Sequence, residues 1–451
     1  MGWRAIYPIM AALLLAALPA GAVPPREAVV LEVDGAIGPA IADYIAEGIA
    51  RAQAEDAGLV ILKMNTPGGL DRSMRKIIRA ILSSPVPVVT YVAPSGARAA
   101  SAGTYITYAS AVAAMAPGTN IGAATPVQLG PGSLVGGGQK KPAKSGKQGE
   151  SKGKPAEPSS TEGRKILNDS IAYIRSLAEL HKRNVEWAEK AVRSAASLPA
   201  TEALKLIVVD VIATSVPDLL HKINGRTVIV AGRQVTLQTK GLHVVEVAPG
   251  WRTDFLSVIT DPNIAFILML VGIYGLIFEF AAPGTMVPGT IGGIALLLAL
   301  YALNLLPINY AGAALVLLGI GLMIAEVHIG AFGVIGVAGA VAFGFGSFMM
   351  FNSGVPGFEI SIAVVVAASA VTAALFLLVV ALLLRSRTRP IVTGKEALLG
   401  AEGEMLAWQQ DEGRVRVKGE IWRARAEQPL TPGTRVKVVN RDGLVLFVEP
   451  A

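Results

Sequence analysis

Two short stretches bring together residue types that can do acyl chemistry. The first is Asn65-Thr66-Pro67-Gly68-Gly69, which follows an apolar run and precedes a helical pattern. Adjacent glycines at a strand end let the backbone approach a ligand and turn N–H groups toward it. The second is Ser95-Gly96-Ala97-Arg98-Ala99-Ala100-Ser101-Ala102-Gly103-Thr104. Here Ser101 stands at a strand-to-helix junction, among small residues that leave room for a substrate. Each stretch also has a plain structural reading. Glycine pairs are common connectors, and a serine at a helix start is a common N-cap.

A serine nucleophile needs a base. The chain has no cysteine and four histidines. That excludes disulfides, thiolate metal sites and cysteine nucleophiles, and leaves little for a His-rich metal centre. His181 closes a helical pattern, His221 and His243 follow in later segments, and His328 lies in an apolar stretch. Each reads as a surface or packing histidine, so a Ser-His-Asp triad is disfavoured. Lysine is the alternative, because burial among apolar groups favours the neutral amine that accepts a proton. Lys165 opens an apolar helical pattern (Ile166, Leu167, Ile171, Ile174), and Lys63, in a strand pattern, is its rival. Asp169 follows Lys165 on the same helical face. A carboxylate beside the amine would oppose base action, so Asp169 is expected to point to solvent.

The elements that must position these residues read as an α/β layer fold. Residues 28–33, 59–64 and 86–92 are short apolar strands, separated by helical patterns over 37–55 and 70–82. Residues 130–164 are rich in Gly, Ser, Lys and Pro and read as a flexible basic loop. Residues 165–252 return to helices (165–182, 185–196) and strand-like runs (206–213, 227–232). Ahead of all this, residues 1–22 read as a signal peptide: Arg4, an apolar core over 9–18, then Ala20-Gly21-Ala22.

The 451 residues are 52% hydrophobic but only 16% charged, against about 25% charged in a typical soluble chain. The excess apolar content is local. Between 253 and 384 there is no Lys or Arg. Five apolar stretches fill a membrane domain over 253–389: 263–281, 289–306, 308–325, 330–351 and 360–384. Each is long enough to cross a hydrocarbon core about 30 Å thick. Arg385, Arg387 and Arg389 follow the last stretch and mark a cytoplasmic end. Glu326 and His328, at a helix end, read as interfacial. Residues 390–451 alternate in period two between turn signals, with 415–426 as one strand, and suggest a small OB-like β-barrel. The net charge of +7 therefore speaks to topology. It is spread outside an acidic membrane block and gives no nucleic-acid surface.

Along nearly its whole length the chain resembles the membrane-bound serine proteases of the ClpP class, the long-form NfeD proteins. The stretches that carry the resemblance are the two above, Ala116-Pro117-Gly118-Thr119-Asn120-Ile121-Gly122, and Lys165 followed by Asp169-Ser170-Ile171-Ala172-Tyr173-Ile174. Leu198 to Leu204 and Thr393 to Gly400 add to them. The resemblance implies a ClpP/crotonase-like spiral domain over 23–252, with a Ser–Lys dyad. Ser101 falls on the nucleophile and Lys165 on the base. Gly68 and Gly69 fall on the oxyanion-hole turn, with the amide of Ala102 as a second donor. It further implies an endopeptidase that needs no metal, nucleotide or other cofactor. Its substrate would be an apolar segment of a stomatin-like membrane protein, and its working form a homo-oligomer, a dimer or larger. The protease domain would be extracytoplasmic and the barrel cytoplasmic. Thr125, in the Gly122-Ala123-Ala124-Thr125 stretch, has no role assigned by the sequence. The alternatives are a non-catalytic scaffold that organises stomatin- or flotillin-like assemblies, and a protease of the signal-peptide-peptidase kind.

Overall fold

In the computed structural model the described residues are 26–126, 161–329, 333–351, 354–387 and 395–451. The expected signal peptide and residues 130–160 of the expected loop lie outside them. In the first part the strands are β1 (Glu27–Asp34), β2 (Leu59–Asn65), β3 (Val88–Val92), β4 (Arg98–Ala100), β5 (Val112–Met115) and β6 (Asn120–Gly122). They are followed by β7 (Ser197–Pro199), β8 (Val211–Ile212), β9 (Thr227–Val230), β10 (Arg233–Thr236) and β11 (His243–Val247). The helices are α1 (Pro39–Ala54), α2 (Asp71–Ser83), α3 (Ala102–Ala109), α4 (Thr161–Leu180), α5 (Val185–Arg193), α6 (Ala200–Lys205), α7 (Val216–Ile223) and α8 (Trp251–Ile259).

Six of these strands form one parallel sheet in the order β11-β1-β2-β3-β5-β8. Its strands read as continuous apolar runs because both faces are covered. Val29, Leu31, Val60 and Leu62 face a core shared with Ile45, Ile77, Ile106 and Ile174 of the helices. Their neighbours Ala28, Val30, Leu59 and Ile61 face a second core, closed by Leu219, Leu220, Val228 and Val230. A small sheet, β4-β6-β7, stands apart from the large one and carries the chain into α3. Residues 206–210 are not strand. Asn184 draws their carbonyls away, its amides donating to Leu206 and Ile207 oxygens, so only Val211–Ile212 pair with β5. Helix α4 starts at Thr161, so Lys165 lies in its second turn rather than at its first residue. Helix α8 runs across the expected boundary at residue 252.

Five long apolar helices follow: α9 (Pro262–Ala281), α10 (Val287–Leu305), α11 (Tyr310–Ile329), α12 (Val334–Phe351) and α13 (Ile362–Arg387). The first four form two like hairpins, offset by 47 residues (272 to 319, 279 to 326, 292 to 339). In the first, a Cβ on Gly272 would stand 2.7 Å from Leu296, and one on Gly292 would stand 3.0 Å from the Gly272 oxygen. In the second, a Cβ on Gly319 would stand 2.6 Å from the Phe343 amide, and one on Gly339 would stand 2.7 Å from the Gly319 oxygen. The turns match as well. Glu279 accepts hydrogen bonds from Met286 and Gly289 N–H, and Glu326 accepts from Gly333, Ile335 and Gly336 N–H. In each hairpin a carboxylate late in one helix satisfies the open amides that begin the next. Glu326 therefore acts as a cap at this helix end.

The last part is a short helix α14 (Lys395–Leu398) and five strands: β12 (Glu402–Gln409), β13 (Glu412–Val417), β14 (Glu420–Arg425), β15 (Arg435–Asp442) and β16 (Val445–Pro450). They close into a barrel in the order β12-β13-β14-β16-β15, around Met405, Val415, Val417, Ala424, Val436 and Leu446. The single strand expected over 415–426 is in fact a hairpin. Lys418 and Gly419 both take positive φ, 48° and 86°, which gives the tight turn that joins β13 to β14.

Candidate active site

Ser101 sits between β4 and α3 with φ 51° and ψ −114°, a conformation that L-residues rarely adopt. Its side chain caps nothing, so the N-cap reading fails. Its own N–H donates to the Gly122 oxygen, 2.9 Å away, and Thr104 Oγ1 lies 2.9 Å from both the Ala99 and Gly122 oxygens. The turn is thus held from behind, while Ser101 is half-buried and its hydroxyl makes no hydrogen bond among the described residues. A strained strand-to-helix turn that presents a serine hydroxyl is the arrangement of a nucleophile elbow.

The glycine turn meets this serine. Gly68 has φ +127°, and a Cβ there would stand 2.6 Å from Ser101 Cβ and 3.1 Å from its Oγ. Only glycine permits that approach. The turn is fixed on its other side. Gly68 N–H donates to Thr66 Oγ1 (3.1 Å), and Thr66 Oγ1 and Ile37 N–H both donate to the Gly68 oxygen. Leu70 N–H donates to the Ile37 oxygen. Gly68 N–H is therefore already used. The amides of Gly69 and Ala102 donate to no acceptor among the described residues. Gly68 provides shape, and its neighbours provide the open donors.

The loop 36–38 that holds Gly68 is itself backed by residues from between α12 and α13. A Cβ on Gly38 would stand 3.2 Å from the Phe358 ring, and one on Gly357 would stand 2.5 Å from Ala36 Cβ. Phe358 is buried there, and Ser361 N–H donates to Asn263 Oδ1 at the start of α9.

The lysine candidates separate clearly. Lys63 Nζ is paired with Glu32, donating to its carboxylate at 3.0 Å. Lys165 lies on the exposed side of α4 and makes no hydrogen bond to Ser101 among the described residues. Catalytic hydrogen bonds are often long without substrate and tighten when it binds. Asp169 faces solvent as expected, and it has a partner. Arg75 bonds its carboxylate at 2.6 Å, bonds Asp71 at 2.9 Å, and lies 4.6 Å over the Tyr173 ring. Asp71 and Asp169 are thus both drawn toward Arg75. Thr125, just past β6, donates to the Val192 oxygen and so ties its strand to α5.

The far end of α3 is clamped. Arg183, fully enclosed, donates to the carbonyls of Thr107, Tyr108 and Ser110 and to Asp210 at 2.7 Å. Burial pushes the Asp210 carboxyl up, but Arg183, the Ala113 amide and Arg226 outweigh it and hold the group below its ordinary value. His181 hydrogen-bonds the Ala109 oxygen at 3.1 Å. Burial, with the nearby Arg183 charge, pushes its imidazole down to about 4. Ala109 and Ser101 bound opposite ends of α3, about 12 Å apart at 1.5 Å per residue, so His181 serves the helix and not the serine. Neither Thr66 nor Arg183 stood out in the sequence. Their partners lie across a turn or some 75 residues away.

Comparison with known proteins adds to this geometry. Residues 263–382 match the NfeD integral membrane domain, and residues 395–450 match the NfeD-like C-terminal, partner-binding domain. Residues 28–141 match the N-terminal domain of NfeD1b. The membrane-bound protease PH1510 of Pyrococcus horikoshii is 36% identical over 432 residues, which is 93% of this chain and 92% of that one. The chain belongs to the NfeD family. Another NfeD relative, membrane protein NfeD1b of Bacillus subtilis, is 26% identical over 69% of this chain and 65% of its own length. A solved structure of the P. horikoshii 1510-N membrane protease, specific for a stomatin homolog, is 34% identical. It covers 52% of this chain and 99% of that one, with a TM-score of 0.42. With five apolar helices, this NfeD protein is a multi-pass membrane protein.

Proposed function

We propose that this chain is a membrane-anchored serine endopeptidase that uses Ser101 as nucleophile and Lys165 as general base. The observation that carries the reading is the free Ser101 hydroxyl on a strained turn, beside two uncommitted amides. In the first step Ser101 Oγ attacks the scissile carbonyl while Lys165 Nζ, as general base, takes its proton. The oxyanion of the tetrahedral intermediate accepts hydrogen bonds from Gly69 and Ala102 N–H. Each such donor is worth about 3 kcal/mol in the barrier. Gly68, whose own amide is used internally, lets the turn come close enough. Lys165 then returns the proton to the leaving amine, and water releases the acyl group by the same route.

The substrate in this reading is an apolar segment of a stomatin-like membrane protein. The relative PH1510 is named a membrane-bound protease, and its solved domain is described as specific for a stomatin homolog. The protease domain lies outside the cytoplasm and the barrel inside, in line with arginines at the end of α13. The working form is a homo-oligomer. A fluorophosphonate probe on the full chain tests the dyad. Wild type should be labelled, and Ser101→Ala and Lys165→Ala should not. Equal labelling of all three would end the proposal.

A further inference from the structure

Helix α8 has one side covered by protein and an apolar face on the other side that is exposed. Thr253, Ile259 and Thr260 are buried where the helix packs against α1 and touches α9 and α10. On the opposite side Trp251, Phe255 and Val258 are 77%, 48% and 55% exposed. These three follow the i, i+4, i+7 spacing and share one face at 100° per residue. A surface helix ordinarily turns such a face to the core and leaves polar residues outside.

The position of α8 in the chain says what meets this face. The helix ends at Ile259, and α9 begins at Pro262. Only Thr260 and Asp261 intervene, so the two helix ends lie at most about 11 Å apart. Asp261 is fixed as the cap of α9, accepting from Asn263 and Ile264 N–H. Since α9 enters the hydrocarbon core, α8 cannot stand clear of the headgroup layer. Its exposed residues suit that layer. Tryptophan and phenylalanine gather at membrane interfaces, where one side is apolar and the other wet. Arg252, exposed beside Trp251, is the last basic residue before Arg385 and can meet lipid phosphate.

We propose that α8 is an interfacial helix, with Trp251, Phe255 and Val258 seated among lipid headgroups and upper acyl chains. It joins the sheet domain to the bilayer through α1. This proposal does not depend on the peptidase reading and needs no activity to test. The chain lacks cysteine, so single Phe255→Cys, Val258→Cys and Ser257→Cys variants of the full chain can each carry one environment-sensitive fluorophore. Ser257 is exposed on a different face and serves as the reference. In nanodiscs holding one chain each, nitroxide-labelled lipid should quench positions 255 and 258 about twofold more than 257. Aqueous iodide should show the reverse order. A second measurement uses native tryptophan. Quenching by brominated lipid should fall on Trp251→Phe. Iodide access equal at all three positions, without lipid quenching, would overturn the proposal. So would protection that appears only when two chains share a disc, because that outcome assigns the face to a second copy.

Discussion

Ser101 and Gly68 are joined by a contact that tolerates no side chain, and Lys165 is governed by what its neighbours do with their charges. Arg75 takes up both Asp71 and Asp169. Removing it should return Asp169 to Lys165, four residues away on the same face. Under the proposed dyad, an Arg75→Gln variant should keep its fold but lose turnover several-fold, because the freed Asp169 can pair with Lys165. An Arg75→Gln, Asp169→Asn double variant should recover the original rate. A single variant with an unchanged rate would show that Arg75 does not keep Asp169 from Lys165. At this scale the sequence was legible where chemistry depends on adjacency. Ser101 and the glycine pair stand in recognisable local settings and meet in the fold, whereas Lys165 is exposed and makes no hydrogen bond to Ser101 among the described residues. It was silent on Thr66, Arg75 and Arg183, whose roles arise only from contacts made in the folded chain.

The element that matters most is α3, which follows Ser101 at one end and is clamped at the other. His181 makes that clamp sensitive to acid. Its imidazole falls from 6.5 to about 4 in the folded chain. Between those values the unfolded chain takes up a proton that the folded one refuses. The stabilisation is therefore complete above pH 6.5 and is lost as pH falls toward 4, on the order of 3 kcal/mol in all. Thermal unfolding of wild type and His181→Gln from pH 7 to 4 should show the extra decline in wild type alone. A second element, the segment before α13, backs the loop that holds Gly68. Phe358→Ala should speed amide exchange at Ile37 and Leu70, whose bonds close that loop, and should leave α3 unchanged. Exchange at residues 35–38 and 66–70 equal to wild type would separate the two regions. Strands and long helices were legible because burial on two faces and membrane crossing each impose a strong pattern. The 206–213 run misled because Val208 and Val209 are buried from a turn while Leu206 and Ile207 are exposed, and the 415–426 run because a positive-φ pair needs only two residues.

Over the whole molecule the charge follows the architecture, with all forty Lys and Arg outside 253–384. Within that block the two hairpins repeat their closest contacts, so equivalent substitutions should have equivalent effects. Gly272→Leu and Gly319→Leu each push a side chain into backbone within 3 Å. Each should destabilise the detergent-solubilised chain by about 1–3 kcal/mol or more, read as a fall in unfolding temperature. A large effect at one position and none at the other would show that the hairpins are alike in outline only. The repeat has a consequence for parity. A hairpin returns the chain to the side it left, so gaining or losing one would not alter where the barrel ends up. Helix α13 has no such mate. Under the proposed topology the barrel's side of the membrane rests on that odd helix alone, and a chain without it would carry both folded ends on one side.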